Sequence, residues 1–343
     1  MLINEFNFDL PENLIAQEPL ENRAESRMLV VKRDSQTCCD EQFINFPTFL
    51  KSGDVIVLNN TKVFPARLFG TLETGAKVEL FLVKNLGNNV WETLARPAKR
   101  LKIGKQIIFN DKLSATVTDK NSEGRVFVKF DADGDFNAIL DEIGQTPLPP
   151  YIKRNNGSLD ADRERYQTVF ASNRGAIAAP TAGLHFTPKV LDEIKSHGVT
   201  VAEITLHVGY GTFEPVRVDD LSDHKVMAES CEISVKTAEI LNAAKRENRR
   251  IIAVGTTTTR ALESATDEKD EIKSGKFDAD ITITPNYKFK TINGLLTNFH
   301  LPQSSLLVLV STFAGHELIM KAYKHAVKNQ YRFYSYGDCV LIV

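Results

Sequence analysis

Three histidines in this chain stand in loops that follow apolar runs and are rich in glycine or hydroxyl residues. His185 lies in Ala178-Ala-Pro-Thr-Ala-Gly-Leu-His-Phe-Thr187, His207 in Leu206-His-Val-Gly-Tyr-Gly-Thr-Phe-Glu-Pro215, and His300 in Thr297-Asn-Phe-His-Leu-Pro-Gln-Ser-Ser305. Imidazole titrates nearest neutral pH, so each is a candidate general acid or base, with Glu214 as a fourth proton-handling group. A further segment, Arg250-Ile-Ile-Ala-Val-Gly-Thr-Thr-Thr-Thr-Arg-Ala-Leu-Glu263, reads as strand, glycine, hydroxyl run and helix. Gly255 permits a tight turn. Thr256, Thr257, Thr258 and Thr259 then put hydroxyls and free backbone N–H groups at a helix start, where carboxylates, phosphates or ribose oxygens bind. The pattern is neither GxGxxG nor a P-loop, so it specifies no nucleotide. Thr181 and Gly183 in the first loop, and Tyr210, Gly211 and Phe213 in the second, complete the binding candidates. The glycines allow close backbone approach, and the rings can stack on a base or face a cation. Any one of these features also fits a capped helix start, a glycine-rich turn or a histidine bonded to backbone at a core edge. Their recurrence in several loops of one chain points to chemistry.

The elements that must position these loops are legible in outline. Thr187-Pro188 is a hydroxyl cap followed by proline at the first helical position, which predicts a helix over 188–197 stopped by Gly198. Apolar patterning predicts strands at 28–32, 54–59, 175–179, 199–208, 250–254 and 280–284, and helices at 136–143, 235–248 and 315–329. Between about 66 and 130 the texture changes to short alternating pieces such as Arg67-Leu-Phe-Gly-Thr-Leu and Arg125-Val-Phe-Val-Lys-Phe130, separated by turns such as Gly87-Asn-Asn89. Short strands at that spacing suggest a small β-barrel or sandwich. The expected fold is therefore a mixed α/β main domain, residues 1–62 and 151–343, carrying an inserted small β-barrel domain over 63–150. The active site is expected in the second part of the main domain, after the stiff segment Thr146-Pro-Leu-Pro-Pro150.

Composition narrows the function classes. A chain of 343 residues favours two domains over one, and a net charge of −2 supplies no global basic field for nucleic acid. Any nucleic-acid contact must come from a local patch, and Ala95-Arg-Pro-Ala-Lys-Arg-Leu-Lys-Ile-Gly-Lys105 is one. There Arg96, Lys99, Arg100 and Lys102 are candidate contacts to RNA phosphates, which position a nucleic acid without reading its sequence. A solvated surface loop has the same composition. The start, Met1-Leu-Ile-Asn-Glu-Phe, lacks a basic region and a long apolar run, and the longest apolar run spans only 306–310, against roughly 20 residues for a membrane helix. A cytoplasmic location without membrane association is the expectation. The four cysteines show no CxxC spacing and the histidines no HExxH, so reduced thiols and no metal or iron–sulfur cluster are expected.

Taken in order, these segments resemble one family, the S-adenosylmethionine:tRNA ribosyltransferase-isomerases of queuosine biosynthesis. The resemblance runs nearly end to end. It includes Phe8-Asp-Leu-Pro, Gly53-Asp-Val-Ile-Val-Leu-Asn-Asn-Thr-Lys-Val-Phe-Pro-Ala-Arg67, Pro147-Leu-Pro-Pro-Tyr-Ile and Arg165-Tyr-Gln-Thr-Val-Phe-Ala. It continues through the four loops above, His224 and Tyr334-Ser-Tyr-Gly-Asp.

The resemblance implies an α/β domain with an inserted β-barrel. It implies transfer and rearrangement of the ribosyl part of S-adenosylmethionine onto 7-aminomethyl-7-deazaguanine at the wobble position of a tRNA with a G-U-N anticodon. Epoxyqueuosine forms, and adenine and methionine leave. S-adenosylmethionine is consumed as a co-substrate, no cofactor is expected, and a monomer is expected. Such chemistry needs a base for the weakly acidic C–H beside the sulfonium, help for departing adenine, and a neutral substrate amine. His207 and His185 rank first as base, ahead of Glu214 and His300. The Thr256–Thr259 run and Arg260 are candidates for the methionine carboxylate, and Tyr210 and Phe213 for adenine or the modified base. A dehydrogenase or kinase would need a phosphate-loop glycine pattern that is absent. A non-catalytic RNA-binding module leaves the His-bearing loops unexplained. A methyltransferase would release S-adenosylhomocysteine instead of adenine.

Overall fold

The segment Val-Ile-Val-Leu-Asn at 55–59 is apolar at all but its last position, so it can be buried on both faces only inside a sheet covered by helices on each side. The computed structural model, which describes residues 1–154, 160–213 and 216–343 (without the side chains of 160, 212 and 213), shows such a sheet. In chain order the strands are β1 (Arg27–Lys32), β2 (Thr37–Gln42), β3 (Val55–Asn59), β4 (Thr61–Val63), β5 (Arg67–Leu72), β6 (Lys77–Gly87), β7 (Val90–Arg96), β8 (Gln106–Ile108), β9 (Leu113–Lys120), β10 (Val126–Ala132), β11 (Asn173–Ala176), β12 (Thr200–Leu206), β13 (Glu229–Ile233), β14 (Ile251–Val254), β15 (Gly275–Ala279), β16 (Gly294–Asn298) and β17 (Cys339–Ile342). The helices are α1 (Phe136–Ile143), α2 (Asp160–Arg165), α3 (Pro188–Ser196), α4 (Val235–Arg246), α5 (Thr256–Ala265), α6 (Ser305–Ala314) and α7 (His316–Lys328).

The main sheet has the order β15-β13-β12-β3-β14-β16-β17-β1-β2. Its centre, β12-β3-β14-β16, is parallel, with Ala202, Val57, Ala253 and Leu295 in register across it. These four residues face one core with Leu241, Leu262 and Leu309 from α4, α5 and α6. Ile56 and Ile252, one position away, face the other core with Phe186 and Val190. The period of two along each strand therefore sorts the side chains between two helix-covered faces. The outer strands β2, β13 and β15 join antiparallel.

The alternating block closes into a six-stranded barrel, β10-β7-β6-β5-β8-β9, with β5 starting four residues after β4 ends. β9 shows the rule: Leu113, Ala115 and Val117 are buried while Thr116 and Thr118 face outward. Closure pairs every strand on both sides and leaves no open edge. The fold is thus a mixed α/β domain carrying a closed β-barrel, as the sequence implies.

The structure departs from the strand expectations at the sheet edges. Residues 280–284 form no strand; β15 occupies Gly275–Ala279 instead and pairs with β13. The Ile281 carbonyl accepts a hydrogen bond from Arg260 Nε at 3.1 Å, and Thr282 Oγ1 accepts from the Val226 amide at 3.0 Å. Ile-Thr-Ile-Thr alternates like a strand, but these polar groups are taken up outside any ladder. β2, Thr-Cys-Cys-Asp-Glu-Gln, is an edge strand with no buried residue, so apolar patterning gives it no signal.

Helix α3 forms as its sequence predicts. Thr187 Oγ1 accepts from the Val190 amide at 3.3 Å, Pro188 opens the helix, and Gly198 follows it with φ +75°. Replacing Thr187 by Ala removes the cap and should lower stability by about 1 kcal/mol. Urea denaturation checks this: the midpoint should fall for Thr187→Ala and stay close to wild type for Thr187→Ser.

Candidate functional site

Parallel strands end on the same side of a sheet, and the loops that leave them converge there. At the carboxyl ends of β12, β14 and β16 they line a cleft of about 570 Å³. Val208 comes from beyond β12, Gly255, Thr256 and Thr257 from the β14–α5 turn, and Thr297 to His300 from the end of β16. Ala178 to Ala182 form one wall; Tyr151, Tyr334 and Ser335 form another. Gly255 makes the turn possible: its φ of +96° is a left-handed value, and its amide donates to the Leu296 carbonyl at 2.8 Å. Tyr334 also has positive φ, +74°, uncommon for a residue with a side chain, and its amide donates to the Phe299 carbonyl at 3.1 Å.

Among the described residues, no lysine, arginine, aspartate or glutamate lines this cleft. Its titratable groups are His300, Tyr151 and Tyr334. Burial pushes the His300 pKa down to about 3. Its Nε2 lies 3.2 Å from Thr297 Oγ1, and its backbone amide donates to the Tyr323 hydroxyl at 3.2 Å. Burial raises the Tyr151 phenol and pushes Tyr334 up to about 12. The Tyr151 hydroxyl is hydrogen-bonded to Ser335 Oγ, and its ring meets Tyr334 edge-on with centroids 3.8 Å apart. The described lining of the cleft is therefore uncharged at neutral pH.

Asn298 ties the walls together. Its amide nitrogen donates to the Tyr334 carbonyl at 2.9 Å, which leaves its oxygen as acceptor toward His185 Nε2 at 3.4 Å. His185 then carries its proton on Nε2, and Nδ1 accepts from Ser26 Oγ at 2.7 Å. The ring is fully enclosed, and burial pushes its pKa down to about 4.

The structure brings Thr181, Thr256, Thr257 and His300 together in the cleft. His185 stands behind the wall, facing a second, smaller cavity. His207 points the opposite way from its neighbour Val208: its Nδ1 lies 2.8 Å from Thr61 Oγ1, in a surface cavity with Glu203, Glu232 and Lys236. Thr258 and Thr259 turn their hydroxyls back onto the Val254 and Gly255 carbonyls at 2.7 and 3.2 Å. Arg260 is buried, with Nη1 2.6 Å from Glu229 Oε2 and its other donors on the Ile281, Met227 and Ala279 carbonyls. Its guanidinium does not reach the helix start. Gly183 packs against Phe170 and Thr168, and Gly211 against Met227, where a Cβ would come within 2.8 Å of the neighbouring side chain at each position. Tyr210 sits against the barrel, its ring centroid 6.1 Å from Phe81 and 5.3 Å from the Arg125 guanidinium. Glu214 and the side chain of Phe213 lie outside the described residues. Arg96, Lys99, Arg100 and Lys102 are exposed on the barrel. Reading single motifs missed Tyr151, Asn298, Tyr334 and Ser335. Asn298 had a signal, being two residues from His300; the tyrosines are brought in by chain return from distant segments.

Both buried imidazoles make stability depend on pH. Each has a folded pKa below its ordinary value of 6.5, so the unfolded chain binds the proton first as pH falls. Their contribution is complete above pH 6.5 and is lost progressively toward about 4 for His185 and about 3 for His300. The melting temperature should fall between pH 6.5 and 4, and less steeply in His185→Gln or His300→Gln than in the parent. Parallel curves for parent and variants would contradict the assignment.

Comparison with known proteins accords with this architecture. A family model described as queuosine biosynthesis protein matches residues 3–342. A Halothermothrix orenii protein named S-adenosylmethionine:tRNA ribosyltransferase-isomerase is 48% identical, covering 100% of both chains. One of the same name from Caldanaerobacter subterraneus is 49% identical over 99% of each. A solved S-adenosylmethionine tRNA ribosyltransferase from Thermotoga maritima aligns over 99% of this chain and 100% of its own, with 33% identity and a TM-score of 0.56. With the sheet, the barrel and the cleft in place, the chain belongs to the queuosine biosynthesis family of S-adenosylmethionine:tRNA ribosyltransferase-isomerases.

Proposed function

We propose that this enzyme transfers and isomerises the ribosyl moiety of S-adenosylmethionine onto 7-aminomethyl-7-deazaguanine at the wobble position of a tRNA with a G-U-N anticodon. It yields epoxyqueuosine and releases adenine and methionine, acting as a monomer in the cytoplasm. The observation that carries the reading is the cleft at the carboxyl ends of β12, β14 and β16, whose described lining is uncharged and includes the rings of Tyr151, Phe299 and Tyr334. A sulfonium placed there meets ring faces and hydroxyl or amide oxygens rather than a carboxylate. Removing a proton from the carbon beside it gives an ylide with no net charge. The proton and its positive charge pass together to a neutral base, so the ylide and the protonated base form as a pair with net charge conserved.

His300 enters this chemistry as neutral imidazole. It can accept the proton, and burial makes the resulting imidazolium a strong acid. That pairing suits a short-lived relay from the ribosyl carbon to the departing adenine. Thr181, Thr256 and Thr257 line the cleft, which supports their hydroxyls as partners for the sugar oxygens and the first N–H groups of α5 as partners for the methionine carboxylate. Arg96, Lys99, Arg100 and Lys102 remain candidates for phosphates of the anticodon stem.

The direct test incubates the protein with S-adenosylmethionine and an anticodon stem-loop carrying the 7-aminomethyl base, with products read by mass spectrometry. Adenine, methionine and an epoxyqueuosine nucleotide should appear in equal amounts; S-adenosylhomocysteine in place of adenine would mean methyl transfer. His300→Asn should lower kcat by about 10²–10⁴-fold, the usual worth of a positioned acid–base group, without weakening stem-loop binding. His207→Asn should change kcat by no more than about threefold, because its ring lies outside the cleft. The reverse ranking would move the proton-handling role to His207.

A further inference from the structure

The second cavity, of about 310 Å³, lies directly behind the cleft wall. Ser335 lines both cavities, and His185, bonded to Asn298, separates them. Arg23 and Arg165 line this second cavity, and Arg332 lies outside its lining but near enough to His185 to act on that ring electrostatically, as Arg23 does. Arg23 donates to the Gln167 and Leu184 carbonyls at 2.6 and 3.3 Å and to the Glu164 carbonyl at 3.1 Å. Arg165 donates to the Glu21 carbonyl at 2.9 Å and to that of Leu20; Arg332 donates to the Glu18 carbonyl.

None of the three makes an ion pair with a carboxylate among the described residues, unlike Arg154, Arg250 and Arg260. The Asp338 carboxylate close by is taken up by the backbone amides of Arg27 and Arg332 at 2.9 and 2.8 Å. Carbonyls fix the pose of these guanidiniums, and Asp338 and Glu164 act on Arg332 and Arg23 only at longer range, without a direct ion pair among the described residues. Arg165 Nε and Arg332 Nη1 are moreover buried donors with no hydrogen-bond partner among the described residues. Arg23 and Arg165 are like charges close enough to repel, a cost that an anion in the cavity would relieve.

We infer that Arg23, Arg165 and Arg332 form a phosphodiester-binding site for the RNA strand, gripping a phosphate next to the nucleotide whose base enters the cleft. The inference rests on the proposed function and extends it. Bidentate guanidinium–phosphate bonding suits this geometry, and a single strand can turn a base away from its backbone at such a point. A carboxylate of S-adenosylmethionine is the other oxyanion present. It sits on the far side of the His185–Asn298 wall if the cosubstrate fills the cleft.

The test measures binding of the modified stem-loop by fluorescence anisotropy against salt concentration, with the full-length protein. Arg165→Gln and Arg332→Gln should each weaken binding about tenfold and reduce the slope of log K against log salt by roughly 0.7. The KM for S-adenosylmethionine at saturating RNA should stay within twofold. With the unaltered protein, a neutral methylphosphonate beside the wobble nucleotide should produce a similar loss, and combining it with Arg165→Gln should add little more. That arm stands even if a variant folds poorly. Unchanged RNA affinity and salt slope in both arms would overturn the site. A raised KM for S-adenosylmethionine with intact RNA binding would reassign it to the cosubstrate carboxylate. Failure to form epoxyqueuosine with RNA binding still dependent on these arginines would overturn the proposed reaction and leave the phosphate site standing.

Discussion

A sheet strand buried on both faces must satisfy its backbone within the ladder, so the chain can change direction only at strand ends. In this protein that constraint falls on β12, β3, β14 and β16, four parallel neighbours. Burial of β3, β14 and β16 is complete at every position. Their parallel sense sends the loops after β12, β14 and β16 out at one edge. The cleft follows from that arrangement: one residue past β14 is the left-handed Gly255, and the last residue of β16 is Asn298. The cleft is built from strand termini, a helix start and loops because the strand interiors have no free backbone groups to give.

Asn298 converts convergence into a defined shape. With its nitrogen on the Tyr334 carbonyl and its oxygen facing His185, it joins the β16 terminus to two segments distant in sequence. The same contacts divide the region in two. Among the described residues, one side is uncharged and lined by rings and hydroxyls; the other is lined by Arg23 and Arg165, both held by carbonyls. A sulfonium and a phosphodiester call for opposite surroundings. With the proposed occupants, a wall one side chain thick would hold both substrates within reach of each other while keeping the cationic arginines off the cationic cosubstrate.

How much of this could be read from sequence depended on whether a feature was local. Helix α3 was legible because Thr187, Pro188 and Gly198 act within one or two turns. The barrel was legible because alternation repeats in every strand. β2 was not, since Thr37 to Gln42 bury nothing, and 280–284 misled because alternation says nothing about whether a ladder partner is free. The loops 178–187, 255–257 and 297–300 could be recognised from strand ends followed by small and hydroxyl residues. Which side chains enter the cleft could not: His207 and Val208 are adjacent, yet only Val208 faces it. Arg260 looked free at a helix start, but its partner Glu229 lies 31 residues away on β13. Tyr151 and Tyr334 are joined only by the tertiary fold.

The central claim is that S-adenosylmethionine occupies the cleft at the carboxyl ends of β12, β14 and β16. The most direct measurement is photolabelling with an S-adenosylmethionine analogue bearing an azide on adenine, followed by peptide mapping. The account predicts label within 178–182, 255–257 or 297–300, abolished by excess S-adenosylmethionine. Competable label on the barrel, or on Arg23 and Arg165 behind the wall, would contradict it.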